Sequence, residues 1–345
     1  MFLAWKEMRY GKVKFLLIIG IITLITSLVL SISGLANGLS VDNASAIKNM
    51  PADTYVVEAG DKHQLERSQI TEQEIASIKG GSPLGLKMVE IDQGGKTVNV
   101  SLFAADPDST FMPTTADHPK LAPYEVLADP GLKKEGLEIG DSFTYDDKKW
   151  VIKGFTKKRF SYGHTPAVFT SLETWEDLYG DSLTYQAILF TNEGMIDTPS
   201  KMDTVSKEEI LSNVPGYSAE QGSLNMMVIF LLIISAIVLA TFFYVMTLQK
   251  LHQYGVLKAI GTKAGILLGA LFAQISTLTI AGIVAGNVVT FGLTLVIPAD
   301  VPFELSVTMI LFNSALILLM AWIGSLLSFR SIVTVDPLQA IGSVK

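Results

Sequence analysis

The chain has 345 residues, of which 49% are hydrophobic and 17% are charged, and its formal net charge at pH 7 is −7. An apolar content this high excludes an ordinary soluble protein unless the apolar residues gather in long runs. The sequence has no cysteine, which excludes disulfides, iron–sulfur clusters and thiolate zinc sites, and its four histidines are scattered. We therefore expect neither a metal site nor a cofactor intrinsic to this chain.

The apolar residues do gather, in four windows that contain no charged side chain. These windows are 15–41, 221–249, 264–299 and 305–329. A helix of about 20 residues, rising ~1.5 Å per residue, crosses the ~30 Å hydrocarbon layer of a bilayer. Every window exceeds that length, so the sequence predicts four transmembrane helices. The first window is also longer than the ~7 to 15 apolar residues of a signal peptide, which favours a retained helix.

Charged residues around these windows predict the orientation. Four basic residues precede the first window, and Lys250, Lys258 and Lys263 lie between the second and third windows with no acidic residue. Because cytoplasmic segments are enriched in Lys and Arg, we expect both termini and this basic segment in the cytoplasm. The region 42–220 is then extracytoplasmic, and with 17 basic and 29 acidic residues it carries a net charge of −12. That charge argues against nucleic-acid binding.

The predicted fold class is a multi-pass membrane protein of four transmembrane α-helices, with an extracytoplasmic α+β domain inserted between helices 1 and 2. In chain order the predicted segments are a cytoplasmic amphipathic N-terminal helix (1–14), transmembrane helix 1 (15–39), the extracytoplasmic domain (40–222), transmembrane helix 2 (223–249), a basic cytoplasmic segment (250–264), transmembrane helices 3 (265–297) and 4 (305–329), and a cytoplasmic tail (330–345). Within helix 3, glycines at 265 and 269 and at 282 and 286 have the spacing that lets helices approach closely. Packing within this chain is favoured over a subunit interface.

The extracytoplasmic region mixes strand and helix patterns. Runs such as TYVVE, TVNVSLF and TYQAILF predict strands, whereas Thr71 followed by Glu74 is a capping box that predicts a helix start. The region contains no catalytic-triad order, no paired-carboxylate motif and no glycine-rich phosphate loop. Its one basic run, Lys157 to Arg159, is interpreted as a solvated loop.

Two short motifs resemble a known family. Residues 253–261 (QYGVLKAIG) are similar to the R-x-x-E-I-G-I-L-R-A-L-G segment of the MacB/FtsX-type (type VII) ABC transporter permeases, and 335–341 (VDPLQAI) resemble their I-D-P-x-E-A-L tail. The layout of the whole chain is similar to that family as well. Gln253 and Tyr254 depart from the family's acidic residue and isoleucine. Residues 217–227 and 242–247 further resemble the permeases of HrtB-type haem exporters.

The resemblance implies partners. This chain lacks the G-x-x-x-x-G-K-[ST] phosphate loop and is not expected to be an enzyme, so a cytoplasmic ABC ATPase subunit would bind ATP and Mg²⁺. An ABC transporter has two ATPase subunits, and each needs a permease chain to bind. The resemblance therefore implies a second copy of this chain in a homodimer. The residues expected to couple to the ATPase are Tyr254, Gly255, Leu257, Lys258, Ile260 and Gly261.

The HrtB-type resemblance also implies haem, taken from the membrane lipid, as the exported substrate. Haem iron accepts an axial ligand from His, Met, Tyr or a carboxylate. Because none of the histidines lies in a predicted span, the expected ligands are of the other types and lie at the outer end of helix 2. The candidate haem-binding residues are Tyr217, Glu220, Met226, Met227 and Phe230.

Other interpretations stay open from the residues alone. A Met pair in a transmembrane helix is commonly packing or lipid-facing, and a Glu at a helix start is commonly a partner of the helix dipole. The same architecture could export a lipid or an antimicrobial peptide. It could also be a non-transporting regulator, as in the FtsX branch, where motion of the exterior domain activates a cell-wall hydrolase.

Overall fold

The structure is a computed structural model that describes residues 12–60, 62–113, 121–192, 194, 196–298 and 301–333. Most of the predicted N-terminal helix (1–14) and the tail motif at 335–341 lie outside the described residues. The helices are α1 (Lys12–Asn49), α2 (Glu72–Ala76), α3 (Leu172–Tyr179), α4 (Lys207–Asn213), α5 (Tyr217–Gln249), α6 (Leu251–Ala259), α7 (Ala264–Thr294) and α8 (Val307–Val333). The strands are β1 (Thr54–Glu58), β2 (Ser82–Gln93), β3 (Lys96–Ala105), β4 (Glu125–Ala128), β5 (Ser142–Tyr145), β6 (Lys148–Phe155), β7 (Ser161–Tyr162), β8 (Thr165–Ser171), β9 (Ala187–Phe190) and β10 (Met202–Ser206).

Four helices, α1, α5, α7 and α8, are long and apolar enough to cross a membrane. The prediction of four transmembrane helices with a β-rich domain between the first two is confirmed. By its internal contacts the chain divides into two units. The exterior unit is Leu39–Gly222, and the membrane unit comprises the residues before Leu39 and from Ser223 onward.

In the described residues, the exterior unit is built on a ten-stranded sheet. Nine strands follow the order β10-β1-β9-β2-β3-β8-β4-β6-β5, and the tenth, β7, pairs with β8 beside this path. A further pairing of Asp92 in β2 with Thr144 in β5 closes the last six strands of that order into a ring. Most neighbours are antiparallel, but β3 and β8 are parallel, as are β4 and β6. Inside the ring lies a core of aliphatic and aromatic side chains that includes the fully buried Trp150.

Local sequence signals place the short helices on this sheet. Thr71 and Glu74 form the predicted capping box at the start of α2. The Ser171 hydroxyl accepts a hydrogen bond from the backbone N–H of Thr174 and begins α3 where β8 ends. These side chains satisfy backbone N–H groups that have no partner inside a helix.

Helix α1 is longer than the predicted span 15–39, because it continues to Asn49. The charge-free window ends before Asp42, so hydropathy alone stops the span there. The extension is stabilised by packing instead: Ala44 and Ile47 are fully buried and Met50 is nearly so, in a core shared with the sheet. The outer end of α1 is therefore part of the exterior unit.

In the membrane unit, α7 packs closely on α1 through the second glycine pair. A Cβ at Gly282 would lie 2.5 Å from the Ile22 side chain, and one at Gly286 would lie 2.5 Å from Thr26. Such distances leave no room for a larger residue. By contrast, a Cβ at Gly265 or Gly269 would meet no neighbouring atom of the described residues within 4 Å.

The basic segment 250–264 contains a short helix, α6, and a turn. Gly261 has a φ of +95°, the left-handed region that ends helices and favours glycine. The backbone N–H of Thr262 donates to the Leu257 carbonyl and closes the turn. Helix α7 then begins at Ala264.

Candidate functional site

The Glu220 carboxylate lies in the first turn of α5, close to the positive end of the helix dipole. Helix α5 follows Gly216, whose φ of +78° turns the chain, and the Glu220 N–H donates to the Gly216 carbonyl at 3.0 Å. Oε2 of Glu220 accepts a hydrogen bond from Asn43 Nδ2 at 3.2 Å, and Oε1 lies 2.9 Å from His164 Nε2. Both carboxylate oxygens therefore have partners within the exterior unit.

His164 reaches Glu220 because of an unusual two-residue turn. Gly163 and His164 connect β7 to β8, and both have positive φ, +58° and +62°. Positive φ at both central residues is the type I′ geometry that matches the twist of a hairpin. A non-glycine residue is strained there, so the turn is held by other contacts, among them a 2.8 Å hydrogen bond from the Gly163 N–H to the Asn43 carbonyl.

The second ring nitrogen of His164 contacts another carboxylate: Nδ1 lies 3.0 Å from Asp42 Oδ2. Burial of the imidazole lowers its pKa, but the hydrogen bonds and charges of Asp42 and Glu220 outweigh burial and raise the pKa above its ordinary value. We call Asp42, Asn43, His164 and Glu220 the His164 cluster. It ties the start of α5, the outer end of α1 and the β7–β8 turn together.

The ionic network continues from the cluster into the sheet. Arg159 forms ion pairs with Asp42 at 3.7 Å and with Asp129 at 3.1 Å. Asp129 is completely buried at the end of β4, and burial raises its pKa although the Phe160 N–H and the Arg159 charge act in the opposite direction. Lys157 and Lys158 are exposed in a loop, as the sequence indicated, whereas Arg159 is half-buried and pairs with two carboxylates.

Tyr217 is engaged by neighbours in the exterior unit. Its hydroxyl lies 3.3 Å from Ser40 Oγ, and the Lys48 ammonium lies 5.2 Å from the centre of its ring. Lys48 also donates to Ser40 Oγ. The contact of its hydroxyl with Ser40 and the contact of its ring with the Lys48 ammonium together hold the Tyr217 side chain in place.

The other three candidate haem-binding residues, Met226, Met227 and Phe230, lie further along α5 in the membrane unit. Their exposed fractions in this chain are 53%, 49% and 55%. Neighbouring residues such as Ile229 and Ile234 are equally exposed, at 56% and 55%. Exposure therefore shows that these side chains are reachable and does not single them out from an ordinary lipid-facing surface.

The predicted coupling residues divide into two groups. Tyr254 and Gly255 are buried within the membrane unit, and Leu257 packs partly buried against the same core. Ile260 is 75% exposed, and Gly261 follows it at the turn. A partner protein can therefore contact the C-terminal end of α6, whereas Tyr254 and Gly255 support that surface from inside.

Comparison with known proteins settles the family. The sequence profile described as FtsX-like permease C-terminal matches residues 225–337. A protein of Staphylococcus haemolyticus, named as hemin transport system permease protein HrtB, is 33% identical over 99% of this chain and 99% of its own length. The protein of the same name from Staphylococcus epidermidis is 32% identical with the same coverage. The chain belongs to the FtsX-type ABC transporter permeases.

This permease is accordingly a membrane protein with an extracytoplasmic domain, as the distribution of charge predicts. Among solved structures, the periplasmic region of MacB from Actinobacillus actinomycetemcomitans aligns with 48% of the permease and 93% of its own chain, at 11% identity and a TM-score of 0.33. That similarity is too weak to carry an argument. The family profile begins at 225, so Tyr217, Glu220 and the rest of the exterior unit lie outside it.

Sequence reasoning missed His164, Asp42 and Asn43. The apolar spans contain no histidine, and His164 lies outside them, 56 residues from Glu220 along the chain. The available signal was the Gly163-His164 pair between two strand patterns, which marks a tight turn but does not reveal what the turn contacts. In the described part of the chain, no group of three or more His, Cys, Asp or Glu side chains could hold a metal ion.

Proposed function

We propose that this permease is the transmembrane half of an ABC-type haem exporter, working as a homodimer with a separate cytoplasmic ATPase. The observation that carries the proposal is the similarity to proteins named for hemin transport, which extends over 99% of the chain and includes the exterior unit. Exterior domains vary more than the spans they connect, because loops and insertions tolerate change. Similarity across the whole length therefore supports a shared substrate more strongly than a match to the spans alone.

Haem is bound, in this proposal, by Tyr217, Glu220, Met226, Met227 and Phe230 after entering from the membrane. A thioether and a carboxylate are both ligands that haem iron accepts, and Phe230 offers a ring for stacking on the flat porphyrin. Met226 and Phe230 are four residues apart on α5 and so share one helix face. Helix α5 presents all three residues of the membrane unit as reachable surface.

The test is a haem titration of the detergent-purified permease, followed by its absorption spectrum. We expect a saturable Soret band in the native permease. The affinity for haem should fall about tenfold in Glu220→Gln and in Met227→Ala, because each variant loses a contact of ~1.5 kcal/mol or more to the haem. Glu173→Gln, at an exposed position of α3, and Ile237→Ala, at a 62% exposed position of α5, are matched controls that retain full affinity.

Two outcomes separate the possibilities. If every variant at the candidate residues from Tyr217 to Phe230 keeps the full affinity for haem, the proposed haem site is wrong. Absence of any saturable haem band in the native permease removes haem as the substrate and leaves the lipid or peptide exporter and the FtsX-type regulator.

Coupling to the ATPase is assigned to α6 and the turn after it. The exposed Ile260 and the partly exposed Leu257 and Lys258 offer contact surface, while Tyr254 and Gly255 anchor the helix in the membrane unit. The glycine at 261 fixes the turn into α7. ATP-driven closure of the partner would then move α6 and, through it, α5.

A further inference from the structure

The imidazole of His164 lies between two carboxylates, and one of them is placed as proteins place the carboxylate that orients a metal-binding histidine. A metal-binding histidine commonly donates one ring N–H to a carboxylate, which fixes the ring and directs the other nitrogen to the metal. Here Asp42 Oδ2 lies 3.0 Å from Nδ1, and Nε2 points to Glu220 Oε1 at 2.9 Å. The side chain is 42% exposed, so Nε2 is accessible once it leaves the carboxylate.

The surroundings fix the ring without enclosing it. The Gly163 N–H bonds to the Asn43 carbonyl at 2.8 Å, which holds the turn against α1, and the Asn43 amide bonds to the Pro215 carbonyl at 3.1 Å, just before α5. Arg159 holds Asp42 from its other oxygen at 3.7 Å. The carboxylate that orients Nδ1 is therefore itself oriented.

We propose that His164 is an axial ligand of the haem iron, at a site that it shares with Glu220. This inference rests on the proposed function and deepens it. A haem supplies four pyrrole nitrogens to its iron, so the protein needs to supply only an axial ligand and not a cluster of three.

Ligation uses the lone pair of Nε2. The hydrogen bond between Nε2 and Glu220 breaks, any proton on Nε2 passes to the Glu220 carboxylate or to water, and the iron gives up a water or other weak ligand. Asp42 keeps its hydrogen bond to Nδ1 throughout. No electron is transferred, and the iron keeps its oxidation state.

The chain offers a matched control for this histidine. His63 in the same exterior unit also lies between two carboxylates, with Nε2 3.0 Å from Asp203 and Nδ1 2.6 Å from Glu209. Neither of those carboxylates belongs to the His164 cluster. Substitution of His63 therefore removes the same chemistry at a different place.

The experiment is electron paramagnetic resonance and absorption spectroscopy of the full-length permease with ferric haem, comparing the native protein with His164→Asn and His63→Asn. Asparagine tolerates positive φ, so the turn is expected to fold in His164→Asn, and His164→Gly, which relieves the strain entirely, is the second variant. We expect both His164 variants to lose the imidazole-ligand signal while haem still binds, up to about tenfold more weakly. Added imidazole is expected to restore the signal, and His63→Asn to keep the native spectrum.

The outcomes are distinguishable from failure of the proposed function. If the native permease binds haem and both His164 variants keep its spectrum, His164 is not a ligand, although haem export survives as the function. If His63→Asn changes the spectrum as much as His164→Asn, the effect is a general one on the domain and the inference is wrong. If the native permease binds no haem, both proposals fail together.

Discussion

Neighbouring carboxylates influence the protonation state of two histidines in the exterior unit. His63 and His164 each bridge two acidic side chains that come from different elements, so each joins parts of the chain distant in sequence. In a domain with a predicted net charge of −12, a protonated histidine between two acids relieves repulsion that would otherwise oppose folding. Protonation of these two histidines therefore stabilises the fold of the acidic exterior unit.

This connection predicts a pH dependence at His63. Burial lowers its pKa, but hydrogen bonds and charges from Asp203 and Glu209 raise it further, so the folded pKa lies above the ordinary value of 6.5. A raised pKa means that the stabilisation is complete below about pH 6.5 and is lost as the pH rises through the folded pKa. The Tm of the native permease is expected to fall between pH 6 and pH 8.5 more steeply than that of His63→Asn.

Melting of the full-length permease in detergent, followed by the fluorescence of the buried Trp150 and Trp175, measures this difference. The two proteins should converge at high pH, where His63 is neutral. Parallel pH profiles, or a native Tm that rises relative to the variant at high pH, would show that the His63 pairing does not stabilise the domain.

At the residue scale, a sequence indicates candidate functional side chains only when the residues that act together are close to one another along the chain. Glu220 and Tyr217 stand out because they precede an apolar run, and as haem contacts they stay predictions. Asp42 and His164 are separated by 122 positions and look like ordinary polar residues of a helix end and a loop. Only the fold of the β7–β8 turn onto α1 brings them together, and no sequence period encodes that contact.

Helices and strands follow their local sequence to different extents. The four apolar helices are predicted from hydropathy because each charge-free window is longer than a bilayer requires. The outer end of α1 is not, since its burial comes from the sheet. Strands β1, β3 and β9 lie within runs rich in β-branched, aromatic and other apolar residues, which predict them. Strands β4 and β10 carry no such run, and β10 is stabilised by pairing with β1 at the other end of the exterior unit's sequence.

Close packing of α7 on α1 gives a prediction at the scale of helices. Gly282→Val places a branched side chain where even a Cβ is 2.5 Å from Ile22 and 3.3 Å from the Ile19 carbonyl. Overpacking of this kind typically costs about 1–3 kcal/mol. We expect a lower Tm and less folded permease after detergent extraction, as measured by thermal melting with size-exclusion chromatography.

Gly269→Val is the matched control on the same helix, because a Cβ at this position meets no neighbouring atom within 4 Å in the part of the chain that the structure describes. Its Tm is expected to equal that of the native permease. Equal stability of both variants would contradict the close approach of α7 and α1. Loss of stability only in Gly269→Val would instead place that glycine against a second copy of the chain.

For the whole molecule, α5 links the two proposed functional ends. It contains 33 residues, which corresponds to about 50 Å at 1.5 Å per residue. Glu220 lies in the first turn of α5. At the other end of α5, a single residue, Lys250, separates it from α6. In the coupling that we propose, α5 would carry motion from an ATPase contact near α6 towards a haem contact near Glu220.

Coupling is tested at this scale by charging the exposed end of α6. Ile260→Asp changes a side chain that is 75% exposed, so the fold of the permease should be retained, unlike Leu257→Asp, which also disturbs the partly buried side of α6. We expect Ile260→Asp to abolish stimulation of the partner ATPase. Val296→Asp, at a 79% exposed position just beyond the other end of α7, makes the same change and should leave stimulation intact.

The most direct measurement is the rate of ATP hydrolysis by the permease co-purified with its ATPase in lipid nanodiscs, as a function of added haem. We expect a saturable rise with haem in the native complex and in Val296→Asp, a rise shifted to about tenfold higher haem in Glu220→Gln, and no rise in Ile260→Asp. A rate that does not respond to haem in the native complex, or that responds equally in Ile260→Asp, would contradict haem-driven coupling through this chain.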